Sequence, residues 1–188
     1  EVAAVFFYSL VPSNTQTVNL LDFLPATVFS STQYDLSNPQ IAWRSILITA
    51  QKQTDAVSGN LIVTFSGSLF EPFGIEDSEV FLSAVGSQIV TAKFDKDGDD
   101  NVVIATVKDL QTVKQGIAKE ISFSKPPEKQ ADTEIWKSDD GEIAAAFVGD
   151  KLILGDAESV LKCIKAKQSG ENLTKHELFK LMSGSNAI

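Results

Sequence analysis

Two strand-like runs in this chain end at an aspartate and then place apolar residues at the same two offsets. "NVVIATVKD" runs into Asp109, followed four and eight positions on by Val113 and Ile117. "GEIAAAFVGDKLILGD" runs into Asp156, followed at the same offsets by Val160 and Ile164. That spacing is one stripe of an amphipathic helix. An Asp at the start of the stripe accepts hydrogen bonds from the free amides of the first turn and sits at the positive end of the helix dipole. A looser third instance takes Asn38 as the cap, with Ala42 and Ile46 at the same offsets. The unit is strand, Asp or Asn cap, amphipathic helix, and the capping role outweighs a reading of these acids as catalytic carboxylates.

Each unit begins with a hairpin. "SQIVTAKF" and "NVVIATVKD" flank a polar loop containing glycine, and within the second pair Gly149-Asp150 makes a short turn. Both patterns are hairpin signals. Between the two pairs, "SKPPEKQADTE" reads as a charged, proline-bearing, solvated connection.

Upstream, "LPATVFSSTQYDLSNPQIAWRSILITA" gives an extended stretch and then a helix start. Ser37, Asn38, Pro39 and Gln40 supply a cap, a proline suited to the first turn and a Ser-x-x-Gln capping-box spacing. From Ser58 to Ile75, Leu61, Phe65, Leu69 and Phe73 recur every four residues, which favours helix over strand. Asp77 to Gly86 reads as a short helix with acids near its start and a glycine stop. Thr174 to Glu177 has the spacing of a capping box opening a last helix, with Leu178, Leu181 and Met182 on its core side. Residues 1–23 read as an N-terminal arm or an edge strand.

The organisation expected is therefore one domain over residues 1–188: residues 24–86 a first strand and helix unit, 87–121 a second unit of hairpin and helix, and 134–182 a third. The fold class is α+β, an antiparallel, hairpin-built sheet whose helices cover one face. The other face is then left open for a partner or ligand.

Charge and composition narrow the function. A net charge of −9 opposes binding to a phosphate backbone, and no basic patch offsets it, so nucleic acid is not an expected partner. No run approaches the roughly 18 apolar residues of a membrane span. The lone Cys163 lies in an apolar helical pattern and reads as a small buried hydrophobe. Trp43 and Trp136 read as core aromatics before pocket residues.

The most chemically suggestive stretch is "FDKDGDDN", residues 94–101. Its Asp95, Asp97, Asp99 and Asp100 are the candidate metal ligands, and a carboxylate cluster with a metal would serve a hydrolase. Counted from Asp95, however, the sixth position of an EF-hand loop is Asp100 where glycine belongs, and the twelfth is Thr106 where glutamate belongs. Strand-like flanks also replace the helices of an EF-hand, so the loop reads first as a hairpin tip. His176, the single histidine, has Lys180 four positions on, which excludes a paired-histidine zinc site. Nothing in the sequence joins it to Cys163 as a nucleophile and base. Gly-x-Ser-x-Gly, Walker and Gly-x-Gly-x-x-Gly motifs are absent, and no catalytic or cofactor-binding residue is assigned. Asn172-Leu-Thr174 matches the glycosylation sequon.

Over residues 24–182 the chain resembles a bacterial protein family of unknown function whose members are extracytoplasmic or membrane-anchored. The pieces that carry the resemblance are "LPATVFSSTQYDLSNPQIAW", "FGIEDSEVFLSAVG", "VVIATVKDLQTVKQGI", "GEIAAAFVGDKLILGDAESVLKCI" and "NLTKHELFKLM". The resemblance implies a periplasmic or cell-surface location and a signal or anchor segment before Glu1. It supplies no catalytic residues, and "EVAAVFFYSLVPS" lies outside it. The expected function is a non-enzymatic envelope module that binds a protein, peptide or apolar ligand. The alternatives are the metal-assisted hydrolase and a purely structural part of a longer envelope protein.

Overall fold

In the central strand-like runs, consecutive residues are apolar ("VVIATV", "IAAAFV", "LIL"), a pattern that requires both faces of a sheet to be covered. The computed structural model describes residues 19–70, 75, 77–97, 100–117, 126–130 and 132–176. Its strands are β1 (Ser30–Asp35), β2 (Val85–Lys93), β3 (Asn101–Val107), β4 (Glu128–Gln130), β5 (Thr133–Lys137), β6 (Ile143–Val148) and β7 (Lys151–Asp156). They form one antiparallel sheet in the order β1-β2-β3-β7-β6-β5-β4. The helices are α1 (Pro39–Gln53), α2 (Ala56–Phe65), α3 (Ser78–Ala84), α4 (Leu110–Ile117) and α5 (Ala157–Ser169).

The α+β class and the antiparallel, hairpin-built sheet are as expected, but helices lie on both faces. On the first face, Val90, Ala92, Val102, Ile104, Ala144, Ala146 and Ile153 pack with Val160, Cys163 and Ile164 of α5 and with Leu20, Phe23 and Leu24. On the second, Ala105, Ala145, Phe147, Leu152 and Leu154 pack with Phe81 and Leu82 of α3 and Val113 and Ile117 of α4. Each fully buried Val, Leu, Ile or Phe contributes about 1.5–3 kcal/mol of transfer free energy. Helices cover both faces because the central strands are apolar on both sides and leave neither face to solvent.

The caps form as the offsets require. Asp109 Oδ1 accepts from the Gln111 and Thr112 amides at 3.0 and 3.2 Å, and Asp156 Oδ2 from the Ser159 amide at 2.8 Å. Val113, Ile117 and Val160 are fully buried and Ile164 nearly so. Asn38 Oδ1 accepts from the Ile41 amide at 3.1 Å, and Ala42 is buried, but Ile46 is exposed. The capping box at Ser37 and Gln40 does not form: Asn38 is the cap, and Gln40 Nε2 instead donates to Glu79 Oε2 on α3 at 2.9 Å. The strand, cap and helix order is shared by α4 and α5, yet the two helices pack on opposite faces.

Gly155 explains how β7 passes into α5. Its φ is +148°, and a Cβ there would meet the Asn101 carbonyl oxygen at 2.2 Å and Val102 Cα at 2.9 Å. Only glycine allows β3 to approach this closely before the cap at Asp156. In the β6 to β7 hairpin, Gly149 supplies the positive φ, +60°, of the two-residue turn.

Three further segments differ from expectation. Leu20–Phe23 forms a 3-10 helix capped by Asn19, not an arm or edge strand, with Leu20 and Phe23 buried in the first core. The charged connection contains β4, which pairs with β5, so its backbone is bonded although Glu128–Gln130 is exposed. α3 ends at Ala84 and Val85 already belongs to β2, so Gly86 lies within the strand and does not stop the helix. The helix expected after Thr174 lies outside the described residues, as do residues 1–18 and Phe73.

Candidate functional site

The site is assembled by the short link between β1 and α1. Leu36 donates its amide to the Ser87 carbonyl at 2.7 Å, and Asn38 then caps α1, turning the helix back over the sheet edge. Gln40 and Arg44 of α1 fix it to α3 through Glu79. Arg44 Nε donates to Glu79 Oε2 at 2.9 Å, and its Nη2 lies 2.7 Å from the same oxygen. This exposed pair raises the Arg44 pKa through the Glu79 hydrogen bond and charge. α2 and a 3-10 turn, Ser66–Leu69, then bring Phe70 back toward the sheet.

Beneath these elements is a cavity of about 350 Å³. Its floor is Tyr34 of β1, Ile89 and Thr91 of β2 and Val103 of β3, and its walls are Trp43, Phe70, Ile75, Phe81 and Leu82. Among the described residues that line it, none is Lys, Arg, Asp, Glu or His. The polar groups that the described lining residues supply are the side chains of Tyr34 and Thr91 and the Trp43 indole, a lining that suits an apolar group with a hydroxyl or carbonyl to anchor. Its volume is at the small end of ligand sites, enough for a short acyl chain or one or two apolar peptide side chains.

Trp136, the other tryptophan, lines a smaller cavity of about 220 Å³ with Pro126, Glu128, Ile135, Lys137, Ser138 and Gly141. The Trp136 indole N–H donates to Glu134, and Lys114 Nζ lies 2.8 Å from Glu134 Oε1 and 4.8 Å from the Trp136 ring centroid. The Lys114 hydrogen bond holds the Glu134 carboxyl below its usual range. Both tryptophans pack against the second core, in line with the sequence reading, and each also lines a cavity.

The loop at residues 94–101 closes as a hairpin: the Phe94 amide donates to the Asp100 carbonyl at 2.9 Å, and Asp95 Oδ2 accepts the Asp100 amide at 3.3 Å. One of the candidate metal ligands therefore spans the loop by an internal hydrogen bond. Asp97 is exposed, Asp100 is half-buried, and Asp99 lies outside the described residues. Among the described residues no group of three His, Cys, Asp or Glu side chains is placed to hold a metal ion.

Cys163 is buried in the first core, and that burial pushes its thiol up to about 12. A thiol so rarely ionised at neutral pH is a poor nucleophile. His176 is exposed beyond the 3-10 helix Leu173–Lys175, and the structure does not join the two. Asn172 is only 6 % exposed, and its Oδ1 accepts the Thr174 hydroxyl at 2.7 Å, so the sequon is not presented for modification. Among the described helices none is long and apolar enough to cross a membrane.

Comparison with known proteins gives no match: no family model, no curated protein and no solved structure. The geometry of the pocket therefore carries the functional argument. Sequence reading missed this site because its residues come from β1, α1, α3, β2 and β3 and from the turn at Phe70. The one local signal was the concentration of aromatics, Tyr34, Trp43, Phe70 and Phe81, around the two helix caps at Asn38 and Asp77.

Proposed function

We propose that this chain is a non-enzymatic binding module of the bacterial cell envelope, and that the pocket beneath α1 and α3 holds an apolar ligand or an apolar segment of a protein or peptide. The observation that carries this reading is a cavity of about 350 Å³ whose lining, among the described residues, includes no charged side chain. A cavity walled by hydrocarbon and aromatic surface favours occupants that lose apolar area to it and penalises charged ones. The extracytoplasmic setting is supported by the resemblance of residues 24–182. The shared strand, cap and helix order of the two halves is read as an internal repeat that builds the sheet beside which the pocket forms.

The test is a titration with 1-N-phenylnaphthylamine, an uncharged apolar fluorophore. A saturable fluorescence rise is expected from the native chain and a loss of it from Thr91→Trp, which fills the cavity from its floor. A signal that fails to saturate, or that is unchanged in Thr91→Trp, contradicts a defined pocket.

A further inference from the structure

The two edges of the sheet are treated differently. β4 is three residues long, carries Glu128 and Lys129, and follows Pro126 and Pro127, the usual devices that keep another strand from adding. β1, at the other edge, runs six residues in unbroken register with β2, from Ser30 opposite Lys93 to Asp35 opposite Gln88. It contains no proline, glycine or lysine, and its first five residues are exposed.

The Leu36 amide bonds the Ser87 carbonyl, which sets the ladder phase. Alternation in an antiparallel pair then directs the N–H and C=O groups of Ser30, Thr32 and Tyr34 toward β2, and those of Ser31, Gln33 and Asp35 outward. Side chains alternate too, so Thr32 and Tyr34 lie on the face that carries the pocket, and Tyr34 is part of its floor. Among the described residues no strand pairs with the outer edge of β1, and that edge and the apolar pocket thus meet at one strand.

From this juxtaposition we propose that an extended peptide from a partner protein adds to β1 as an eighth strand and seats an alternate apolar side chain in the pocket. The proposal rests on the pocket reading above and names the class of ligand. Three residues with outward-facing donors and acceptors recognise a strand backbone, and the pocket selects its side chains. Charge narrows the partner further: the chain carries −9, and Asp35, the acid of β1, lies at the end of the edge, which favours a neutral or basic strand over an acidic one.

The probe is an acetylated, amidated hexapeptide with leucine or phenylalanine at alternate positions, threonine between them and a terminal lysine. Its control carries N-methyl groups on the alternate amides that would face β1, keeping every side chain. Calorimetry is expected to show saturable binding of the first peptide and binding at least about tenfold weaker for the control, as for loss of two or more backbone hydrogen bonds. Hydrogen exchange is expected to show the Ser31, Gln33 and Asp35 amides slowing on binding. Equal affinity for both peptides overturns strand addition. So does protection of those three amides in the free protein, which would mean that the chain itself or a second copy already fills the edge. Failure of both peptides while 1-N-phenylnaphthylamine binds overturns strand addition and leaves the pocket intact; failure of all three removes both readings.

Discussion

The ring of Trp43 meets that of Phe70 edge-on, with centroids 5.0 Å apart and planes at 85°. Trp43 is carried by α1 and Phe70 by the turn that follows α2, so this contact ties the return of the chain to the helix over the sheet. It forms the part of the pocket wall that depends most on the helical hairpin, and such a pair is worth about 0.5–1.5 kcal/mol beyond its buried area.

Gly155→Ala tests the strand packing on which the rest depends. A Cβ at 2.2 Å from the Asn101 carbonyl oxygen cannot be accommodated without moving β3 or β7, and φ near +148° is itself costly for alanine. A loss of roughly 2 kcal/mol or more is expected in urea unfolding, against little change for a substitution on the exposed face of α5 such as Lys165→Ala. An unaltered midpoint for Gly155→Ala would mean that β3 and β7 do not approach as described.

Asp156→Ala removes the acceptor of the Ser159 amide and should cost about 1 kcal/mol, or about 3 °C in Tm for a chain of this size. Asp156→Asn, which keeps an acceptor, should recover most of it. A variant that keeps its Tm but loses ligand binding would show that Asp156 acts in recognition and not as a cap.

These caps were legible in the sequence because the offset from Asp109 and Asp156 to buried residues is a local property. Which face each helix covers was not, since the strand, cap and helix pattern reads the same for α4 and α5 although they pack on opposite sides. Periodicity likewise gave α2 as a helix but misled on its stripe. Leu61 and Phe65 are 50 % and 61 % exposed, and Gly59 is the residue α2 buries. A repeat of four reports backbone geometry, and it cannot report whether a partner surface lies opposite. β5 was missed because five residues, "TEIWK", bounded by charges give too short an alternation to register. Gly155 gave no signal because its reason is a neighbouring strand about fifty positions away in sequence.

Glu134 gives an acid-sensitive contribution. Its carboxyl is held below the usual value of about 4.3 by the Lys114 hydrogen bond, so the unfolded chain binds its proton more readily than the folded one. The stabilisation is therefore fully present above the ordinary glutamate pKa and is lost as pH falls through the lower folded value. Glu134→Gln should lower stability at pH 7 by under about 1 kcal/mol, the pair being partly solvated, and should narrow the difference from the native chain below pH 4. A difference that grows on acidification would contradict the pairing.

Cys163 should be inert in the folded protein. Ellman's reagent at pH 8 is expected to find no rapidly reacting thiol in the native state and one in guanidinium, because burial both blocks access and disfavours the thiolate. Rapid reaction of the folded chain would mean that α5 does not pack on the first face as described.

The most direct test of the pocket uses Trp43 itself. In Trp136→Phe, Trp43 is the remaining tryptophan and lies in the pocket wall. Titration with dodecanol, an uncharged chain with one hydroxyl, is predicted to shift its emission to shorter wavelength in a saturable, one-to-one manner, and the heat of dodecanol binding is predicted to be lost in Thr91→Trp. Emission that stays unchanged up to the solubility limit of dodecanol, together with no heat of binding, would contradict the pocket as the functional site.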